Sequence, residues 1–328
     1  MGKQITRAPA SRRVWVLIVL LAWTIAAPIQ AAPQAAYERI VVFGTSLSDP
    51  GNAFTLFGGT NIPPDYSVNP FLVPDRPYAR GGHHFTNGST WIELFAQTQG
   101  LGWSVKPAWG RPNPGATNYA VAAARAYDDG VNVDLSAQVE AFLNDSGGVA
   151  PSDALYVIEM GGNDVRDALA AFASGGNGGI IIQEALTSIA GTVNVLYLAG
   201  ARRFLIWNAP NVSLTPAIRQ LDVLISGAST FALQLTQGFN VGLSAVMGRL
   251  AGLPGIQIAR LDAFRLLNDI VDDPRGFGLT NVTDACVTPT VAPFVCDQPD
   301  DFLFWDGVHP TRAVHAIIAR EAALVLSQ

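Results

Sequence analysis

Arg39-Ile40-Val41-Val42-Phe43 runs directly into Gly44-Thr45-Ser46-Leu47-Ser48-Asp49-Pro50-Gly51-Asn52. The first five residues are a short, nearly all-apolar, β-rich run, the pattern of a strand covered on both faces. The glycine and the turn-forming residues behind it end that strand abruptly. A serine just past the strand tip can present its hydroxyl at the sheet edge, while neighbouring backbone N–H groups point outward. Ser46 could equally be an ordinary turn or helix-capping serine.

Outward from this strand (Glu38–Phe43), apolar runs of strand length alternate with longer helical patterns. The periodicity predicts strands at Ala154–Glu159, Arg203–Trp207 and Ile256–Leu261. It predicts helices over Asp134–Asn144, Ile180–Leu198, Leu221–Leu250 and Pro310–Leu326, with Asp134 as a cap and Pro310 in a first turn. Such alternation indicates an α/β fold, a three-layer α/β/α sandwich around a central, mostly parallel sheet. Two stretches interrupt the rhythm: 58–88, rich in Gly, Pro, Asn, Asp and aromatics, and 272–303, with two cysteines and several prolines. In a parallel α/β sheet such insertions gather at the carboxyl ends of the strands, where ligands bind. They are either pocket walls or surface decoration.

The first 31 residues have a different character. Lys3, Arg7, Arg12 and Arg13 precede an unbroken apolar run, Val14 to Ala27, followed by Pro28-Ile29-Gln30-Ala31. That is the layout of a secretory signal peptide, with an uncleaved N-terminal anchor as the alternative. Residues 32–328 then form a single domain. The full chain carries a net charge of −6, and loss of the four leader cations takes the remainder to about −10. So acidic a body argues against nucleic acid and against docking on anionic lipid. No later run is apolar for long enough to suggest a membrane span, so a soluble protein is expected after leader removal. Lys106 is the one lysine beyond the leader, which excludes a phosphate-binding Gly-Lys-Ser/Thr loop and a Ser-x-x-Lys dyad. Cys286 and Cys296, close together in an exported chain, are expected to form a disulfide, and without a nearby histidine pair they do not make a zinc site.

Near the other end, Phe304-Trp305-Asp306-Gly307-Val308-His309-Pro310-Thr311 opens the last helix. Near a helix N-terminus an imidazole is biased to its neutral, basic form, and an aspartate three residues away could fix its tautomer. A helix-capping histidine beside an exposed aspartate would read the same way. Met160-Gly161-Gly162-Asn163-Asp164 follows the strand Ala154–Glu159. Its glycines permit close backbone approach, and the Asn163 amide suits a developing oxyanion. Thr117-Asn118-Tyr119-Ala120-Val121-Ala122-Ala123-Ala124 is rich in small residues and could offer backbone N–H groups likewise. His83 and His84 are adjacent, so they cannot face one way as metal ligands, and His315 is expected to be a satisfied helix histidine.

In this order the four blocks resemble the GDSL or SGNH hydrolase family of esterases and lipases, over nearly all of the chain beyond the leader. The likeness is to the phospholipase, lecithinase or hemolysin-like branch, whose first block reads FGDSLSDxGN. Phe85-Thr86-Asn87-Gly88 through Trp91 resembles the branch's FSNGxxW, and residues 304–311 its FWDxxHPT. The resemblance implies a flavodoxin-like sandwich with Ser46 as nucleophile, His309 as base and Asp306 orienting it. It also implies an oxyanion hole from the Ser46 and Ala123 N–H groups and the Asn163 amide. Two residues depart from the pattern: Thr45 replaces the family's aspartate, and Ala123 its oxyanion glycine. The Ala123 N–H serves only if the backbone there does not demand positive φ.

The expectation is therefore a secreted or periplasmic serine esterase or lipase acting on a small-molecule or lipid acyl ester, with no metal or organic cofactor. A lipid acyltransferase using the same acyl-enzyme is the alternative. A non-catalytic lipid- or carbohydrate-binding protein on this scaffold is a further one, motivated by Thr45 and Ala123.

Overall fold

Four strands, β1 (Arg39–Gly44), β2 (Ala154–Glu159), β3 (Arg203–Trp207) and β4 (Gln257–Leu261), lie side by side in that order, all parallel. Their side chains sort by the two-residue period of a strand. Val41, Phe43, Tyr156 and Ile158 enter one apolar cluster, and Ile40, Val42, Leu155 and Val157 enter another on the opposite face. Burial on both faces is what the near-continuous apolar runs require. β4, at the sheet edge, is the most exposed of the four. Beyond β1 the chain returns as a partial ladder: Thr117 accepts from Val42 N–H at 2.9 Å, and Tyr119 donates to the Val42 carbonyl at 2.8 Å.

The helices are α1 (Asn52–Leu56), α2 (Trp91–Thr98), α3 (Leu135–Asp145), α4 (Gly162–Ala173), α5 (Gly178–Leu198), α6 (Pro216–Leu224), α7 (Ala228–Leu250), α8 (Ala263–Asp272) and α9 (Arg312–Leu326). Residues of α3, α4, α5 and α7 fill the first cluster, and residues of α2, α8 and α9 fill the second. The result is the expected three-layer α/β/α sandwich. In this computed structural model the described residues are 1, 2, 4, 37–62, 71–79, 82–110, 115–288 and 292–328, and the elements named here belong to one compact unit, Ala35–Gln328. All but three residues of the expected leader, 1–31, lie outside the described residues, as do parts of both interrupting stretches.

Several boundaries differ from the expected ones. The helix expected over Leu221–Leu250 is two, α6 and α7, broken at Gly227, which takes φ 91°. The last helix starts at Arg312, not Pro310. Thr311 occupies the cap position, and Pro310 pairs with Phe304 in an isolated bridge. Asp134 sits at the N-cap of α3 as expected, but its side chain makes no capping bond. Its carboxylate instead accepts from the Arg125 and Asp129 N–H groups at 2.7 and 2.9 Å. The expectation that no run beyond the leader could span a membrane also needs correction. By length and composition alone α5 could cross one, although Ala185, Ile189, Val193 and Leu196 pack into the sandwich.

Toward the carboxyl end of the sheet, β5 (Asn281–Ala285) and β6 (Phe302–Phe304) form a small parallel pair. The Cys286–Cys296 disulfide is present beside it. Cys286 and Val287 donate from their backbones to Phe304 and Trp305 at 3.0 and 2.8 Å, so the bridged loop braces the residues just before Asp306.

The exit of β1 is tied to the end of β2 through Glu159. Its Oε2 accepts from Thr45 N–H at 2.9 Å, Thr45 Oγ1–H at 3.0 Å and Ser48 Oγ–H at 3.1 Å. Thr45 thus gives Glu159 two donors where an aspartate would have set a second carboxylate against it. Burial pushes the Glu159 pKa from 4.5 up to about 7, against the lowering effect of these bonds. A carboxyl that binds its proton more tightly when folded loses stability as pH rises from 4.5 through 7. Glu159→Gln should remove that loss. In urea unfolding from pH 4.5 to 8, the stability of the variant relative to the parent should climb by up to about 3 kcal/mol. A pH-independent difference would contradict the assignment.

Candidate active site

The loop carrying Ser46 is held on both sides. Before it, Gln138 of α3 brackets Gly44, accepting from its N–H and donating to its carbonyl, each at 2.9 Å. After it, buried Asp49 accepts from the N–H groups of Gly51, Asn52, Ala53 and Ala122 at 2.6–3.0 Å. Burial raises the Asp49 pKa to about 6 and these four amides oppose the rise. Asn52 donates to the carbonyls of Asn118 and Ala120, and Asn118 to that of Ser48, at 2.8, 2.8 and 2.9 Å. The Ser46 loop and the 117–124 segment are consequently one hydrogen-bonded unit. Ser46 itself stays half-buried.

Ser46 Oγ lies 2.8 Å from His309 Nε2, and His309 Nδ1 lies 2.8 Å from Asp306 Oδ2. Asp306 is fully buried. Its Oδ1 accepts from the Val308 and His309 N–H groups at 2.9 and 2.8 Å, and its Oδ2 from Tyr78 Oη–H at 2.9 Å. With the ionised carboxylate facing Nδ1, that nitrogen carries the ring proton and Nε2 is left to accept from the serine hydroxyl.

The stretch Phe85-Thr86-Asn87-Gly88 braces His309 and the turn that carries it. The Phe85 ring lies 5.5 Å from the imidazole, Thr86 Oγ1 donates to the Pro310 carbonyl at 2.8 Å, and Asn87 Oδ1 accepts from Arg312 N–H, at the start of α9, at 2.8 Å. Gly307, between Asp306 and His309, donates to the Leu72 carbonyl at 2.8 Å. A Cβ there would lie 2.0 Å from the Phe71 carbonyl oxygen, so only glycine permits the approach.

On the other side, Gly161 at φ 114° turns β2 into α4, and a Cβ would strike the Phe239 ring at 2.6 Å. Asn163 therefore sits in the first turn of α4. Its Nδ2 donates to the Ala124 carbonyl at 2.9 Å, leaving the second amide hydrogen available, and Arg166 Nη1 donates to its Oδ1 at 3.3 Å. Ala123 adopts φ 66°, the positive value that the glycine of the resembling family would accept without cost. The conformation is held from outside. The flanking N–H groups of Ala122 and Ala124 are bonded to Asp49 and Val121, and the Ala123 carbonyl accepts from Arg125, itself paired with Asp167 at 2.7 Å. Among the described residues neither Ser46 N–H nor Ala123 N–H has an acceptor.

The remaining histidines have structural partners. His83 stacks on Phe54 and approaches Asn61, His84 pairs with Glu93 at 2.9 Å, and buried His315 accepts from Trp91 N–H at 3.1 Å. Burial, with the nearby His84 and His309 rings, lowers the His315 pKa to about 3. Tyr78, Gln138, Glu159 and Arg166 carry no motif. Only Arg166, three residues after Asn163 and hence on the same helix face, had a local signal.

An open cavity of about 710 Å³ lies beside these groups, lined by Phe71, Arg166, Leu169, Phe172, Leu221 and Phe231 among others. Ser46 and His309 do not line it. It adjoins them through Phe71, whose carbonyl crowds Gly307, and through Ala217, whose N–H donates to the Gly307 carbonyl at 2.9 Å. Burial holds the Arg166 pKa below the usual guanidinium range, against the charges of Asp167 and Asp306. A narrow apolar cleft of about 70 Å³, lined by Leu47, Trp207 and Val308 among others, lies beside Ser46 and His309.

A three-layer sandwich with serine, histidine and aspartate joined in one hydrogen-bonded chain at its edge has the architecture of an SGNH-type hydrolase. The chain belongs to the GDSL-like lipase/acylhydrolase family, whose description matches residues 40–322. It is 23% identical to a GDSL esterase/lipase of Arabidopsis thaliana, over 88% of this chain and 86% of that protein. A second Arabidopsis GDSL esterase/lipase is 29% identical over 86% and 80%. A phosphatidylcholine-sterol acyltransferase of Aeromonas hydrophila is 25% identical over 93% and 95%. The protein is accordingly an ester-hydrolysing enzyme of this family.

Positive φ costs a side-chain-bearing residue about 1–2 kcal/mol, more than glycine's usual deficit of about 0.5–1 kcal/mol. Ala123→Gly should therefore stabilise the protein by up to about 1 kcal/mol, opposite in sign to most Ala→Gly changes. Chemical denaturation of the two proteins measures it, and a clear destabilisation would refute the strain at this position.

Proposed function

We propose that the protein is a secreted serine esterase or lipase whose nucleophile is Ser46. The observation that carries this is the unbroken chain Ser46 Oγ–His309 Nε2–Asp306, with both links at 2.8 Å. Ser46 attacks the ester carbonyl while His309 Nε2 takes its proton. Asp306 holds the Nδ1 proton and stabilises the imidazolium without itself becoming protonated. The tetrahedral oxyanion is met by the Ser46 N–H, the Ala123 N–H and the free Asn163 amide hydrogen. His309 then protonates the departing alcohol, leaving an acyl-serine. Water attacks that ester by the same steps in reverse. No step calls on a metal or organic cofactor.

The two departures from the family pattern are compatible with activity. Thr45 has become a donor to Glu159. At Ala123 the backbone does take positive φ, the case in which its N–H was expected to fail. Alanine adopts that conformation despite its Cβ, so the N–H keeps the direction a glycine would give it. This weakens the reading of a non-catalytic binding protein. The open apolar cavity suits the hydrocarbon part of an ester. Acyl transfer to an alcohol in place of water is the second reading, favoured by the near full-length similarity to the Aeromonas acyltransferase. Export rests on the leader pattern of residues 1–31 and on the Cys286–Cys296 disulfide, which fits an oxidising compartment outside the cytoplasm. Residues 32–328 would be the enzyme released by leader cleavage.

Ser46→Ala should abolish hydrolysis of dissolved nitrophenyl esters and labelling by a fluorophosphonate, and wild-type rates in that variant would end the proposal. Asn163→Ala should keep the label but lower kcat by about 10²–10³. An unchanged kcat would remove Asn163 from the oxyanion site. With phospholipid and a competing sterol, ester product would favour transfer, and free fatty acid alone would favour hydrolysis.

A further inference from the structure

The last turn of α6 and the turn into α7 carry an exposed apolar tip. Val223, Leu224 and Ile225 are 85, 73 and 51% exposed in succession, on a surface where single exposed apolar residues would be ordinary. Ile225, Ser226, Gly227 and Ala228 form the rim of the large cavity, and Phe172, 38% exposed, adds to that rim while packing edge-on against Phe231. The tip is thus continuous with the cavity lining, one apolar surface running from outside the molecule toward Gly307.

The charged groups beside the tip are hydrogen-bonded to the fold. Asp222 accepts from Ser229 N–H at 2.9 Å, Arg219 donates to the Leu214 carbonyl at 3.0 Å, and Asp167 is taken by Arg125 and Tyr127. Arg166 lines the cavity rather than the tip. Among the described residues Arg219 and Asp222 beside the tip balance in sign, and with a net charge of −6 on the whole chain the protein as a whole would be repelled by an anionic surface. An uncharged apolar rim around the mouth of a cavity that suits acyl chains fits the surface where such chains are packed together.

We propose that the α6–α7 tip docks the enzyme on a zwitterionic lipid surface, inserting Val223 and Leu224 among the acyl chains so that a lipid ester can enter the cavity without crossing water. Burying a few apolar side chains gives reversible, marginal binding, not a stable anchor. The inference rests on the ester-hydrolase reading, but its test is separable from it.

Ser46→Ala protein, which cannot consume the lipid, is floated with extruded phosphatidylcholine vesicles and compared with the same protein carrying Val223→Ser and Leu224→Ser. The parent should float, and the tip substitutions should lower the vesicle partition coefficient roughly tenfold or more. In the Ser46 background the same two substitutions should leave hydrolysis of dissolved nitrophenyl acetate within roughly twofold and the melting temperature unchanged, since neither side chain lines the cavity. A parent that stays with the soluble fraction, or a tip variant that floats equally well, overturns the proposal. So does a concentration-dependent dimer that the tip substitutions dissolve while vesicles capture neither form, because the covering surface is then a second copy of the chain. Absence of nitrophenyl acetate turnover in the wild-type protein would count against the ester-hydrolase reading, and the flotation result would stand apart from it.

Discussion

A carboxylate without access to water has to be satisfied by protein donors, and Asp306 meets that demand from three directions. Its own turn supplies two backbone N–H groups, His309 supplies the ring Nδ1–H, and Tyr78 reaches in from an insertion 228 residues earlier in the chain. Leaving any of these unmade would expose a buried charge to a cost of several kcal/mol, so the geometry around the imidazole is enforced by solvation as much as by packing. Asp49 and Glu159 repeat the device around the Ser46 loop. Three buried acids, each answered mostly by backbone or hydroxyl donors, fix the two loops whose relative placement matters.

Backbone strain is concentrated in the same neighbourhood. Ala123 and Leu72 hold positive φ, and each presents its carbonyl to a nearby donor, Arg125 and Gly307 respectively. Such conformations persist only where surrounding contacts over-determine them. Here those contacts also connect the candidate oxyanion loop to α4 and the acid–base turn to the insertion, so local cost and positional accuracy have one origin.

The sheet and its layers were legible because a strand covered on both faces leaves an unmistakable apolar run, and β1, β2 and β3 fall within a residue of their expected bounds. Ser46, Asn163, Asp306 and His309 were legible because each lies where a strand ends or a helix begins, and such places leave Gly, Pro and Asn signatures. What escaped was of two kinds. The start of α4 is written in glycine and asparagine, which hide a helix, and the break at residues 225–227 falls inside a pattern that stays helical on both sides. Tyr78 and Gln138 escaped for another reason. Their roles are defined by partners 228 and 94 residues distant, and no local pattern encodes such a meeting.

Ser46 and His309, the proposed nucleophile and base, are separated by 263 residues, the first just past the strand that opens the sandwich, the second just before its last helix. Closing so long a loop is entropically expensive and comes late, after the intervening strands and helices have given it something to dock on. During synthesis the serine therefore emerges long before any base can reach it. A chain still on the ribosome, or cut short before residue 306, carries Ser46 without its imidazole partner. Under the proposed mechanism, the order of groups along the polypeptide acts as a safety catch, keeping an ester-cleaving activity silent until the whole molecule is assembled.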